Sequence, residues 1–202
     1  MRDTVYLLVF DGFADWQTAL ALCEIRRPGD WQVRTAGFSM AQVVSMGGLT
    51  VQPDTTMARI DPRRAAMLIV PGGHLWQRDE GSAAVMAIRR LHAAGSPVAA
   101  IDGGVLALAR SGLLDHRRHA GNGAGWIDGH VPGYAGADQY DAGVLAVSDD
   151  GVTSASHLGS VEFAREVIRT LELYDAIDCE HWYRLFKHAE LPPWCRGEAR
   201  AA

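Results

Sequence analysis

The sequence predicts an α/β fold, a mostly parallel sheet with helices on both faces. Two observations carry that reading. The runs TVYLLVF (4–10), AAMLIVPGG (65–73) and SPVAAI (96–101) are continuously apolar rather than alternating, as strands buried on both faces are. Helix-spaced segments follow them, and strand–helix alternation builds parallel sheets.

Taken in order, TVYLLVF ends at Asp11-Gly12, and ADWQTALALCEIRR has helical spacing until Pro28-Gly29 stops it. WQVRTAGF (31–38) alternates as a strand, and VVSMGGLTVQPD (43–54) reads as two short strands around a Gly-Gly turn. GSAAVMAIRRLHAAG (81–95) is an amphipathic helix ended by Gly95, and GVLALARSGLL is the helix after the strand at 96–101. Residues 115–140 are rich in Gly and His with little periodicity and read as a long loop, which in a compact domain is usually functional or ordered by a partner. GVLAVSDDGVTSAS (143–156) reads as a hairpin, SVEFAREVIRTLELY (160–174) as a helix with Ser160 at its N-cap, and EHWYRLFKHAE (180–190) as a last amphipathic segment.

The chain has 202 residues, which suits one domain over 1–190 with a C-terminal tail at 191–202 that frays after Pro193. Apolar residues make up 48% and charged ones 21%, enough for a full core. The net charge of −5, with no basic run, disfavours nucleic acid and anionic membranes as partners. Cys23, Cys179 and Cys195 show no framework or zinc spacing and read as reduced thiols of a cytoplasmic protein, with Cys23 packed in the core. The N-terminus does not fit a signal peptide, and no apolar run reaches the ~18 residues of a membrane span. His116, His119, His130 and His157 stand without HxH or HExxH spacing, so no metal is expected. His116 and His119, beside Arg117-Arg118, read as surface residues. The GVLALARSG segment lacks the Gly-Lys-Ser/Thr of a phosphate loop, and GNGAG neither follows a strand nor opens a clear helix. No cofactor is expected.

In open α/β sheets ligands gather at the carboxyl ends of strands, where strand order switches. The strand ends at Asp11, Pro71–Gly73 and Asp102 should therefore share one crevice. Asp102, in VAAIDGGVLALARSGLL (98–114), stands on a strand–helix corner. Asp is a good N-cap, and it also carries acid–base chemistry; both readings stay open from the residues alone.

The segments LLVFDGFADWQTALAL, LIVPGGHLW, AAIDGGVLALARSGLLDHRRH, GNGAGW and SASHLGSVEFAREVIRTLELY, in that order, resemble the PfpI-like intracellular protease/amidase family. It belongs to the superfamily of class I glutamine amidotransferase domains, the Parkinson-associated deglycase and isocyanide hydratases. The resemblance spans about residues 4 to 188. It implies a flavodoxin-like three-layer sandwich, usually a homodimer, with a reactive cysteine on a strand–turn–helix elbow. An acid on the first helix touches that cysteine, and backbone N–H groups bind an oxyanion. In this chain the elbow position is Asp102, the acid position is Gln17, and the PGG glycines are Gly72 and Gly73. The polar loop position falls at Asn122, with Ala120 where Thr is common.

Three departures in one pocket argue against thiol chemistry. A Glu beside Asp102 would set two carboxylates together, whereas Gln17 removes the repulsion and offers an amide donor. Alternatively, Gln17 is a plain helix-surface residue. Gly72 and Gly73 read as an oxyanion site or as a tight turn, with Gly103 supplying a second N–H. His74 faces pocket or solvent, His157 is a further pocket candidate, and Trp16, Trp76 and Trp126 form either an aromatic wall or core packing. The expected function is a non-thiol hydratase, lyase, isomerase or hydrolase. It acts on a small, mostly apolar molecule with Asp102 as acid/base. The alternatives are a catalytically silent relative binding a small ligand or a protein, and a conventional family hydrolase or deglycase using another residue.

Overall fold

The computed structural model describes residues 2–78 and 81–196. Five strands lie parallel: β1 (Thr4–Leu8), β2 (Gln32–Gly37), β5 (Thr55–Thr56), β6 (Ala65–Val70) and β7 (Val98–Ile101). A hairpin, β8 (Ala146–Asp149) and β9 (Val152–Ala155), completes the sheet, with β9 parallel to β7 and β8 antiparallel on the edge. The order is β5-β2-β1-β6-β7-β9-β8, and β3 (Val43–Val44) pairs with β4 (Thr50–Val51) as a separate small hairpin. The continuous apolar runs are central strands: β1, β6 and β7 are buried at every position, because helices cover both their faces.

On one side α1 (Asp15–Arg26) packs on α5 (Ser160–Thr170), which packs on α6 (Ala176–His188). On the other lie α2 (Ser82–Ala93), α3 (Gly104–Arg110) and α4 (Ala124–His130). This is a flavodoxin-like α/β sandwich. The chain leaves β1 toward β2 and returns to β6 on its other side, so strand order switches between β1 and β6. A crevice opens there at the carboxyl ends.

Several local expectations are corrected. The Gly- and His-rich stretch 115–140 holds α4 and a 3-10 turn at Ala137–Gln139, and GNGAG does lead into α4. Its glycines hide a seven-residue helix that intrinsic propensity disfavours. Gly159, not Ser160, is the N-cap of α5, with no side-chain cap bond. Cys23 lies exposed on α1 while Cys179 is buried. His119 is fully buried rather than on the surface. The expected tail falls partly on residues 197–202, outside the described residues. Among the described residues, no helix is long and apolar enough to cross a membrane.

Candidate active site

β7 ends at Ile101 and α3 begins at Gly104, so Asp102 and Gly103 make the whole turn. Asp102 takes φ +57°, a left-handed conformation that Asp and Asn tolerate better than most residues. Its N–H donates to the Ala155 carbonyl at 2.9 Å, and its own carbonyl accepts from Val105 N at 3.1 Å. The corner is thereby tied to β9 and to the first turn of α3. The Asp102 side chain does not cap α3: the N-cap is Gly103, with no side-chain cap bond.

The carboxylate instead lies between two amides. Gln17 Nε2 donates to Asp102 Oδ2 at 2.8 Å, and Asn122 Nδ2 donates to Oδ1 at 2.6 Å. Each amide is held from behind by a backbone donor. Gly72 N–H donates to Gln17 Oε1 at 2.8 Å, and His157 N–H donates to Asn122 Oδ1 at 3.0 Å. An N–H only donates, so it fixes the oxygen end of each amide, and both NH₂ ends must face Asp102. Asp102 is therefore an acceptor on both oxygens. His157 Nδ1 also lies 2.9 Å from Asn122 Oδ1. That oxygen only accepts, so Nδ1 carries hydrogen. Gln17 is 2% exposed and Asp102 half-buried, so the clamp is screened little by water.

The glycine turn after β6 closes the site from the side. A Cβ on Gly72 would stand 2.2 Å from Asp102 Oδ2 and 2.6 Å from Gln17 Oε1, so only glycine leaves room for the clamp. A Cβ on Gly73, which has φ +151°, would stand 2.7 Å from the Phe10 ring and 2.9 Å from the Gly12 carbonyl oxygen, and one on Gly103 would stand 3.2 Å from the Gly73 carbonyl oxygen. Among the described residues the N–H groups of Gly73 and Gly103 have no acceptor.

The structure thus joins Asp102, Gln17, Asn122, His157 and Gly72 in one hydrogen-bonded set, with Gly73 and Gly103 adjoining. Trp76 is fully buried, donates from Nε1 to the Pro71 carbonyl at 2.8 Å, and meets Phe10 edge-on. It supports the glycine turn from below. Trp16 and His74 are exposed and bond to none of these residues, and Trp126 stacks on His130. Among the described residues no group of three His, Cys, Asp or Glu is arranged to hold a metal ion.

The loop that delivers Asn122 rests on side chains the sequence does not flag. His119 Nδ1 lies 2.7 Å from the Arg117 carbonyl, and its Nε2 lies 2.5 Å from the Tyr134 hydroxyl. A carbonyl forces Nδ1 to be the donor, so Nε2 accepts the Tyr134 proton. Burial pushes His119 below its usual range and Tyr134 up to about 12, which keeps the imidazole neutral and the phenol protonated. Tyr140 donates to the Gly121 carbonyl at 2.8 Å, and Ser154 Oγ accepts from Ala120 N at 2.9 Å. The one available signal is the density of His and Tyr within a stretch otherwise reading as loop.

Residues 3–170 match the model of the DJ-1/PfpI family. An uncharacterized protease, YoaZ, of Bacillus subtilis is 30% identical over 190 residues, covering 91% of this chain and 90% of that protein. A DJ-1 superfamily protein from Agrobacterium tumefaciens superposes with TM-score 0.85 at 29% identity, covering 93% of this chain and 98% of that one. A ThiJ/PfpI family protein from Bacillus anthracis gives 0.86 at 29% identity, covering 94% and 93%.

Proposed function

The chain belongs to the DJ-1/PfpI family, and on that premise we propose that it is a non-thiol enzyme acting on a small, mostly apolar molecule, with Asp102 as general acid/base. At the level of the family a hydrolase or related enzyme fits, and one relative carries the name of a protease. The observation that carries the finer reading is the clamp: a carboxylate occupies the elbow, both its oxygens accept from amide NH₂ groups, and it stands beside two unspent backbone N–H groups.

Each carboxylate oxygen has a second lone pair beyond the one its amide uses. Asp102 takes a proton from water or from an acidic C–H through that lone pair and returns it to another atom of the substrate. Negative charge developing on a substrate oxygen is met by the N–H groups of Gly73 and Gly103. Gln17 and Asn122 hold the carboxylate plane fixed, so little reorganisation accompanies proton transfer. A carboxylate is a weak nucleophile beside a thiolate, and among the described residues no activating base touches Asp102, so the shuttle is favoured over a covalent adduct. The three cysteines make no bond to this set, and thiol alkylation leaves such an enzyme active.

The test is turnover on a panel of small neutral electrophiles (isocyanides, α-oxoaldehydes, esters and amides), with Asp102→Asn beside the parent. Asn keeps the size and removes the base, but its NH₂ faces one of the two amide donors, so one arm of the clamp is lost with it. Turnover should fall by roughly 10²–10⁴, and the melting temperature should fall modestly with the lost acceptor, so turnover is compared well below the variant's own transition. Undiminished turnover in Asp102→Asn refutes the acid/base role, and a covalent Asp102 adduct in mass spectrometry replaces the shuttle with nucleophilic catalysis. The same clamp, with both oxygens already engaged, also suits a silent ligand-binding relative. Absence of turnover across the panel, with retained ligand binding, identifies that case.

A further inference from the structure

A second cavity opens beside the residues that follow the glycine turn. It measures about 500 Å³ and opens between the carboxyl end of β1, the segment after β2, and the 3-10 turn His74–Arg78. That volume lies in the range of small-molecule sites. A Cβ on Gly73 would meet Phe10 and the Gly12 carbonyl, whose residues line this cavity, while one on the neighbouring Gly72 would meet Asp102. Asp102, Gln17 and Asn122 do not line it.

The lining separates by chemistry. Phe10, Phe38 and Leu75 supply an apolar body, with Phe10 and Phe38 ring centroids 6.3 Å apart. Asp11 stands on the β1 side. Its Oδ1 accepts from Val44 N at 2.9 Å, and it forms no ion pair among the described residues. Arg78 and His74 line the cavity from one short turn, and among the described residues neither has an ion-pair or hydrogen-bond partner. A carboxylate, a guanidinium and an imidazole in one lining with two aromatic rings complement a ligand with both charges and an apolar side group.

We propose that this cavity binds a free amino acid with an apolar side chain. The ammonium is set against Asp11, the carboxylate against Arg78 and His74, and the side chain on Phe10, Phe38 and Leu75. An ammonium next to Asp11 and a carboxylate forked by Arg78 each make a charge-assisted contact, the stronger kind of hydrogen bond. A peptide end brings one charge where the cavity offers complements for two.

The experiment is calorimetric titration of the full chain with L-phenylalanine, and with its two singly charged analogues, phenylalaninamide and N-acetylphenylalanine. The expected result is saturable binding of L-phenylalanine, with each analogue weaker by about tenfold or more. Asp11→Asn keeps the Oδ1 acceptor for Val44 N and removes the charge, and Arg78→Gln removes the fork. Each should weaken L-phenylalanine by a similar factor while the melting temperature of the free protein stays unchanged. Asp102→Asn should leave the affinity intact, so loss of the proposed chemistry and loss of this site are separate readouts. Absence of saturable binding, equal affinity for the blocked analogues, or full affinity in both charge variants overturns the proposal.

Discussion

At the scale of the residue, Gln17 does two jobs with one amide: it accepts from Gly72 N–H and donates to Asp102. Gln17→Ala strands a buried N–H and removes one of the two carboxylate donors, at a cost of about 1–3 kcal/mol, which chemical denaturation reads directly. Gln17→Glu still accepts from Gly72 but presents an oxygen to Asp102. Two carboxylates in contact hold a shared proton more tightly, so activity that needs the free base should appear only at higher pH. An unmoved pH–rate profile in Gln17→Glu contradicts a functional contact between the two side chains. The contact between Gln17 and Asp102 was legible in the sequence, because both occupy family positions in a recognisable order; Asn122 stood out as a polar loop position, but its bond to Asp102 did not. What fixes the two amides was not legible, because it is the N–H groups of Gly72 and His157, and backbone donors leave no trace in residue identity.

At the scale of the element, legibility followed burial on two faces. Parallel strands buried throughout must be apolar throughout, so β1, β6 and β7 stood out as unbroken runs. The segment 115–140 did not, because α4 contains Gly125 and Gly129, and its order comes from tertiary bonds through His119, Tyr134 and Tyr140. Those bonds make the segment sensitive to acid. Burial holds His119 below its ordinary value of about 6.5. The unfolded chain therefore binds a proton there before the folded chain does. The stability tied to a neutral His119 is complete above about pH 6.5 and declines as pH falls below it. His92 shifts the same way, through burial and the nearby Arg117, so the His119 share must be isolated by substitution. His119→Gln keeps a donor for the Arg117 carbonyl and an acceptor for Tyr134 without titrating. Melting temperatures from about pH 7.5 to about pH 5 should fall less steeply in His119→Gln than in the parent. Parallel curves would show that His119 does not couple folding to pH.

At the scale of the whole molecule, the site lies at one end of the sheet, and apolar side chains cluster on the surface near it. Trp16 on α1 is 52% exposed, and Val44, Met46 and Leu49 on the neighbouring hairpin are 46%, 50% and 60% exposed. The hairpin is fastened to the start of α1: Asp15 accepts from Ser45 Oγ at 2.8 Å and from Gly47 N at 3.1 Å, and Met46 N donates to the Phe13 carbonyl at 2.8 Å. These exposed groups therefore ride on a rigid support that also carries Gln17. Single exposed apolar residues are ordinary, but four on two joined elements mark an interaction surface. We propose that a second copy of the chain covers it, the assembly the family resemblance implies, in a two-fold arrangement that pairs the same patch on each subunit. Burying Trp16 and its neighbours removes apolar area from water and stiffens the helix that positions the Asp102 clamp. Sedimentation velocity at micromolar concentration should show a dimer. Trp16→Glu or Met46→Lys places a charge in the apolar interface without touching the core, and each should shift the population to monomer while the far-ultraviolet circular dichroism stays the same. A parent protein that sediments as a monomer, or variants that remain dimeric, would move the interface elsewhere or remove it.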